Sequence, residues 1–130
     1  DDPARKAELL EIAQVCRRVP EHPAETFHEA LQAVHFVTYC QCAGQLLIMF
    51  QLGRPDRYLL PYYRRDLAAG RLTPERAQEL IDHLGLMLSA YTPARIAVGF
   101  MIGGRDGTGA DVSNELTQMF LESIAHTRLP

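Results

Sequence analysis

The chain has 130 residues, 47% hydrophobic and 22% charged, the balance of a soluble globular domain or part of one. A formal net charge of −3 leaves no basic field to attract nucleic acid. The run from Ala43 to Leu52 is interrupted by Gln45 and Gln51 and falls short of the roughly 20 apolar residues that a bilayer-spanning helix needs, so no membrane segment is expected.

Asp2 before Pro3 predicts the start of a first helix, a cap acceptor followed by a residue already fixed for the first turn. Leu9, Ile12, Ala13 and Cys16 then make one apolar stripe, and Val19-Pro20 and Pro23 end the helix. Thr26-Phe27-His28-Glu29 fits a capping box opening a second helix to about Gly44. Its residues Phe27, Ala30, Leu31, Val34, Phe36 and Val37 are apolar on more than one side, which predicts burial on several faces. Leu46 to Leu52 reads either as a short buried strand or as irregular chain. Gly53-Arg54-Pro55-Asp56 is a turn, and a third helix is expected from near Asp56 or Pro61 to Ala69, with Gly70 as its C-terminal cap.

Thr73, Pro74 and Glu75 mark the start of a fourth helix with the stripe Ala77, Leu80, Ile81, Leu84 and Leu88. Ile96 to Ile102 is a nearly continuous apolar run, the pattern of a strand covered on both faces. After the glycine-rich loop 103–109, Asp111 or Ser113 is expected to cap a last helix carrying Leu116, Met119, Phe120 and Ile124. The result is a helix-rich α/β class, about five helices against one or two strands. A lone apolar strand needs neighbours for its backbone groups, which points to a fragment or to strands supplied by another chain. The opening Asp1-Asp2-Pro3 and the ending at Pro130 also suggest a piece of something longer, a single segment over 1–130.

Few residues carry an obvious chemistry. The loop Gly103-Gly104-Arg105-Asp106-Gly107-Thr108-Gly109 joins strand to helix, but it lacks the third glycine and the lysine of phosphate-binding loops, and its aspartates oppose an anion. A tight structural turn is the expectation. It does not match a calcium loop either. Cys40-x-Cys42 is spaced too closely for the common zinc pairs, so core packing is expected for these thiols. An odd count of three cysteines with no secretory leader suits a reducing, cytoplasmic interior. His22, His28, His35, His83 and His126 are scattered without metal spacing. Arg54 with Asp56, and Tyr62-Tyr63-Arg64-Arg65-Asp66, are expected to form a buried or half-buried ion network that fixes a turn. A self-associating, free-standing helical interaction module remains the alternative to a fragment.

Taken in order, several segments resemble the glycyl radical enzymes, the pyruvate formate-lyase-like family. They are Thr26 to Gln32, Leu52 to Leu59, Pro61 to Leu67, Gly70 to Thr73 leading to Ala77 to Ile81, Ile102 to Asp106, and Gly109, Asp111 and Ser113 to Thr117. Arg128-Leu129-Pro130 fits the point just before that family's next strand. The resemblance implies a partial segment of a ten-stranded α/β barrel in a longer, cytoplasmic, anaerobic radical lyase or dehydratase, or a formate acetyltransferase-like transferase, that cleaves a carbon–carbon or carbon–heteroatom bond. It implies a catalytic cysteine and a radical glycine outside these residues, with the radical installed by an iron–sulfur activating enzyme that uses S-adenosylmethionine. The implied partners are the rest of the barrel, that activating enzyme and a second copy in a homodimer. No cofactor is expected within the chain itself, and none of Cys16, Cys40 and Cys42 is assigned the catalytic role. Gln51 is the implied substrate-facing position, and the apolar run Leu47 to Phe50 beside it suits a bulkier or more apolar substrate than a small polyol. Gly53, Arg54 and Asp56 are implied to hold the turn, and Gly103 and Gly104 to let the strand end bend.

Overall fold

A computed structural model of the chain describes residues 2–44, 49–91 and 97–128. Leu46 to Ile48 of the ambiguous segment, Ile96 of the apolar run, and Leu129 and Pro130 lie outside the described residues. The elements are α1 (Pro3–Arg18), α2 (Phe27–Gly44), β1 (Met49–Gln51), α3 (Pro55–Tyr58), α4 (Leu60–Ala68), α5 (Pro74–Tyr91), β2 (Ala97–Gly99) and α6 (Glu115–Thr127).

Local signals set most of the helix ends. Asp2 accepts a hydrogen bond from the Ala4 amide at 3.0 Å, and Val19, extended before Pro20, stops α1. The buried side of α1 is Val15, followed by Val19, whereas Leu9 and Cys16 of the predicted stripe are exposed. The capping box of α2 forms as expected: the Glu29 amide donates to Thr26 Oγ1, and the Thr26 amide donates to the Glu29 carboxylate, both at 3.2 Å. Gly70, with φ +67°, closes α4 while the Arg71 amide donates back to the Asp66 carbonyl at 3.0 Å.

Three expectations about the helices are corrected or narrowed. Of the two starts expected for the third helix, the one near Pro61 holds: α4 begins at Leu60, and Asp56 lies in a separate short helix, α3. Pro61 near the start of α4 has no amide to continue a ladder from α3, so the chain restarts there. The cap of α6 is Asn114, not Asp111 or Ser113: Asn114 Oδ1 accepts from the Leu116 and Thr117 amides, and Thr117 Oγ1 accepts from the Asn114 amide. Asp111 accepts from the Ser113 amide instead. Finally, α2 is covered on several faces only over residues 27–36, none of which is exposed, where it packs against α1, α4 and α5. Phe27, Ala30, Leu31 and Thr38 are buried, while Val37 is 53% and Tyr39 50% exposed.

The core lies among α2, α4, α5 and α6, with α5 packed against both α2 and α6. The whole predicted stripe of α5, from Ala77 to Leu88, is buried in it with Phe27, Leu59, Tyr63, Leu116 and Phe120. The apolar run at 96–102 does not stand alone: β2 pairs with β1 in parallel, Met49 opposite Ala97, Phe50 opposite Val98 and Gln51 opposite Gly99. Pairing continues past the strands, with the Leu52 amide donating to Gly99 and the Met101 amide to Gly53, each at 2.9 Å. Leu52, Phe100 and Ile102 pack against the helical core, and the Phe100 and Phe120 rings stand 5.4 Å apart. Side chains alternate along a strand, so Gln51, Gly99 and Met101 belong to the opposite face. Met101 is 61% exposed, which corrects the expectation of a strand covered on both sides.

Candidate functional site

The carboxyl ends of β1 and β2 lead into two turns that meet. Gly53 leaves β1 with φ +69°, and Gly103 takes φ +61° after the extended continuation of β2. A Cβ at Gly103 would come within 3.0 Å of Ser113 Oγ, so both its backbone angle and its surroundings call for glycine. Between the turns lies Asp56, fully buried in the first turn of α3. Its Oδ2 accepts from the Gly103 amide at 2.7 Å and from Thr117 Oγ1 at 2.9 Å. Its Oδ1 faces Arg54 Nε at 3.5 Å, an ion pair without a hydrogen bond. Arg54 in turn donates to the Gly103 carbonyl, and Asn114 Nδ2 donates to the Asp56 carbonyl at 3.0 Å. One carboxylate therefore joins the turn after β1, the turn after β2 and the start of α6.

The remaining polar residues of the sequence reading separate into two groups. Asp66, also buried, accepts from the Phe27 amide at 2.7 Å and from Arg71 at 2.6 Å, so it anchors the start of α2. Arg64 meets Glu115 at the surface, and Arg65 lies 5.2 Å over the Tyr62 ring. Tyr58 donates to the Leu52 carbonyl at 3.1 Å, and burial pushes its phenol up to about 12, which keeps it a neutral donor. The 103–109 loop closes on itself: Asp106 accepts from the Thr108 and Ala110 amides and from Thr108 Oγ1, and Arg105 donates to the Gly109 carbonyl. These bonds, one of them at 2.6 Å to the threonine hydroxyl, hold the Asp106 carboxyl below the usual range. The loop amides that an anion would need are thus partly spent on Asp106, and Gly104 takes φ +86° at its start.

The cysteines do not pack the core. Cys16 and Cys40 are exposed on α1 and α2, and Cys42 is half-buried, with burial raising its thiol. His28, His35 and His83 line a groove of about 410 Å³ between α1, α2 and α5. There His28 pairs with Glu11 at 3.0 Å, and burial lowers the His35 imidazole. Among the described residues, no three His, Cys, Asp or Glu side chains are placed to share a metal ion.

The Asp56 junction leaves the other face of the strand pair open, where Gln51 is exposed at the end of β1. Two residues of that face carry only weak marks in the sequence. Gly99 inside an apolar run is the sign of a close approach, and Met101 is distinguished only by alternation. Thr117 as a partner of Asp56 carries one mark, its place three residues after Asn114.

Comparison with known proteins adds four findings. A sequence model of the family described as Pyruvate formate lyase-like matches residues 1–130. Isethionate sulfite-lyase of Nitratidesulfovibrio vulgaris is 36% identical over 94% of this chain, which spans 16% of that enzyme's length. Among solved structures, a protein of 1,2-propanediol dehydration in Roseburia inulinivorans has a TM-score of 0.89 at 36% identity, over 99% of this chain and 18% of its own. A glycyl radical enzyme from Archaeoglobus fulgidus has a TM-score of 0.84 at 33% identity, with the same coverages.

Proposed function

Because the chain belongs to the pyruvate formate lyase-like family and its relatives are glycyl radical enzymes, we propose that it forms part of the barrel wall of such an enzyme, in a longer protein that cleaves a carbon–heteroatom or carbon–carbon bond. The observation that carries this reading is the two-faced strand pair. Helices cover one face through Leu52, Phe100 and Ile102, while Gln51, Gly99 and Met101 mark the other. In an α/β barrel with helices outside, the uncovered face is the interior. Ligands in parallel α/β folds also collect at the carboxyl ends of strands, where Gln51 stands.

On this reading the chain binds and orients rather than reacts. The Gln51 carboxamide offers one acceptor oxygen and two donor hydrogens to a substrate hydroxyl or acid group. Met101 supplies an apolar wall. The Asp56 junction, with Gly53, Arg54, Gly103 and Gly104, fixes the two strand ends from behind. A glycyl radical and a catalytic cysteine outside these residues would supply hydrogen-atom abstraction, the cysteine as its thiyl radical, and Cys16, Cys40 and Cys42 take no part in it. An iron–sulfur activating enzyme, an anaerobic cytoplasmic setting and a homodimer complete the proposal.

The substrate class proposed is a small hydroxylated molecule, as the named relatives suggest, in place of the bulkier or more apolar one that the run Leu47 to Phe50 suits. The test is turnover of isethionate and of propane-1,2-diol by the full-length protein after anaerobic activation, with and without Gln51→Ala. Turnover that falls at least about tenfold in kcat/KM in the variant supports the assignment of Gln51. Unchanged kcat/KM removes Gln51 from the site, and no radical signal after activation removes the enzyme reading.

A further inference from the structure

We propose that Gly99 is the positioning residue that sets where the Gln51 carboxamide sits, and through it which substrates the cavity accepts; this rests on the reading of Gln51 as substrate-facing. The two residues are register partners at the ends of parallel strands, so their side-chain positions share a face. A Cβ built at Gly99 would stand 3.1 Å from Gln51 Nε2, 3.2 Å from Oε1 and 3.4 Å from Cδ. The amide therefore lies across the Gly99 backbone, in the space that any other residue would fill.

Backbone conformation does not account for this glycine. Gly99 lies within β2 and is absent from the positive-φ residues, whereas Gly53 and Gly103 are among them. Glycine within a strand weakens it by giving up both side-chain packing and chain stiffness. What Gly99 provides in return is room for the carboxamide. Gln51 is exposed and only the end of its long side chain comes near residue 99, so an added methyl is accommodated by a shift of the amide and not by rupture of the strand pair. The effect falls on substrate recognition, with little on folding.

The experiment compares the full-length protein with the variants Gly99→Ala, Gln51→Ser and the double variant, by crystal structure and by turnover of isethionate and propane-1,2-diol. In Gly99→Ala the Gln51 amide is expected to leave its place over residue 99 while the strand register holds. KM for the substrate turned over should rise about tenfold with a smaller change in kcat, because a displaced polar contact weakens binding before chemistry. Gln51→Ser does not reach residue 99, so adding Gly99→Ala to it should change KM less than twofold. An amide that stays in place in Gly99→Ala, or an equal loss from Gly99→Ala in both backgrounds, overturns the proposal. If neither compound is turned over, the substrate class fails, and the position of the amide in the Gly99→Ala crystal still decides this inference.

Discussion

Two buried aspartates, one at the start of α3 and one near the end of α4, do comparable work, and they are not equally well served. Asp66 has both carboxylate oxygens hydrogen-bonded, one by the Phe27 amide and the other by Arg71, whose side chain is half open to solvent. Asp56 is more deeply buried, yet one oxygen has only the Arg54 ion pair at 3.5 Å. The better satisfied carboxylate anchors one helix start. The less satisfied one ties together three segments, reaching 47 residues to Gly103 and 61 to Thr117. Connectivity, more than local geometry, decides how much depends on each.

That contrast is sharpest in removal. Asp56→Ala would leave the Gly103 amide and the Thr117 hydroxyl without their acceptor and the Arg54 guanidinium without its ion-pair partner. The expected loss is about 4 kcal/mol, the range for an orphaned buried partner. Hydrogen exchange in the full-length protein should show it as lost protection at Gly103 and in the first turn of α6. A variant that keeps protection there would show that Asp56 is a passenger in the junction. Asp66→Ala should cost about 2 kcal/mol, since Arg71 rehydrates and only the Phe27 amide is left buried. The loss of protection should stay within the first turn of α2. Equal effects from the two alanine variants would erase the distinction.

A smaller effect separates cap from junction. Asn114→Ala removes an N-cap, expected to cost about 1 kcal/mol of stability, read from a lowered denaturant midpoint at unchanged slope. It also frees the Asp56 carbonyl, so combined with Asp56→Ala the two losses should fall short of additive.

The smallest effect is one of pH, at the α5–α6 contact. Burial alone would raise the Asp82 carboxyl, but hydrogen bonds from Gln78, Ser123 and His126 outweigh it and hold the group below its ordinary value of 3.8. A depressed carboxylate contributes stability that is complete above the unfolded value and lost as pH falls through the folded one. Protection of the α6 amides should therefore hold at pH 5 and weaken only below about pH 4. Loosening already between pH 5 and 7 would show that Asp82 does not set the acid limit of this contact.

Much of this was legible in the residues, for a physical reason. Asp2, Thr26, Gly70 and Thr73 act within a few residues of themselves, and so does the apolar stripe of α5. The cap of α6 was harder. Asp111, Ser113 and Asn114 are all competent, and what distinguishes Asn114 includes a hydrogen bond to Asp56, 58 residues away. Periodicity identified the apolar residues of α2 but not what covers them, which is why Val37 emerged exposed. The pairing of Gln51 with Gly99 depends on strand register across the intervening helices, which no local spacing encodes.

The separation of the two faces of the strand pair bears on how such a segment changes over time. Leu52, Phe100 and Ile102 answer to the helical core, and Asp56 to the turns behind it. Positions 51, 99 and 101 stand on the other side and carry little of that load. They form a compact cassette in which drift or deliberate randomisation can explore new chemistry while the scaffold is inherited intact.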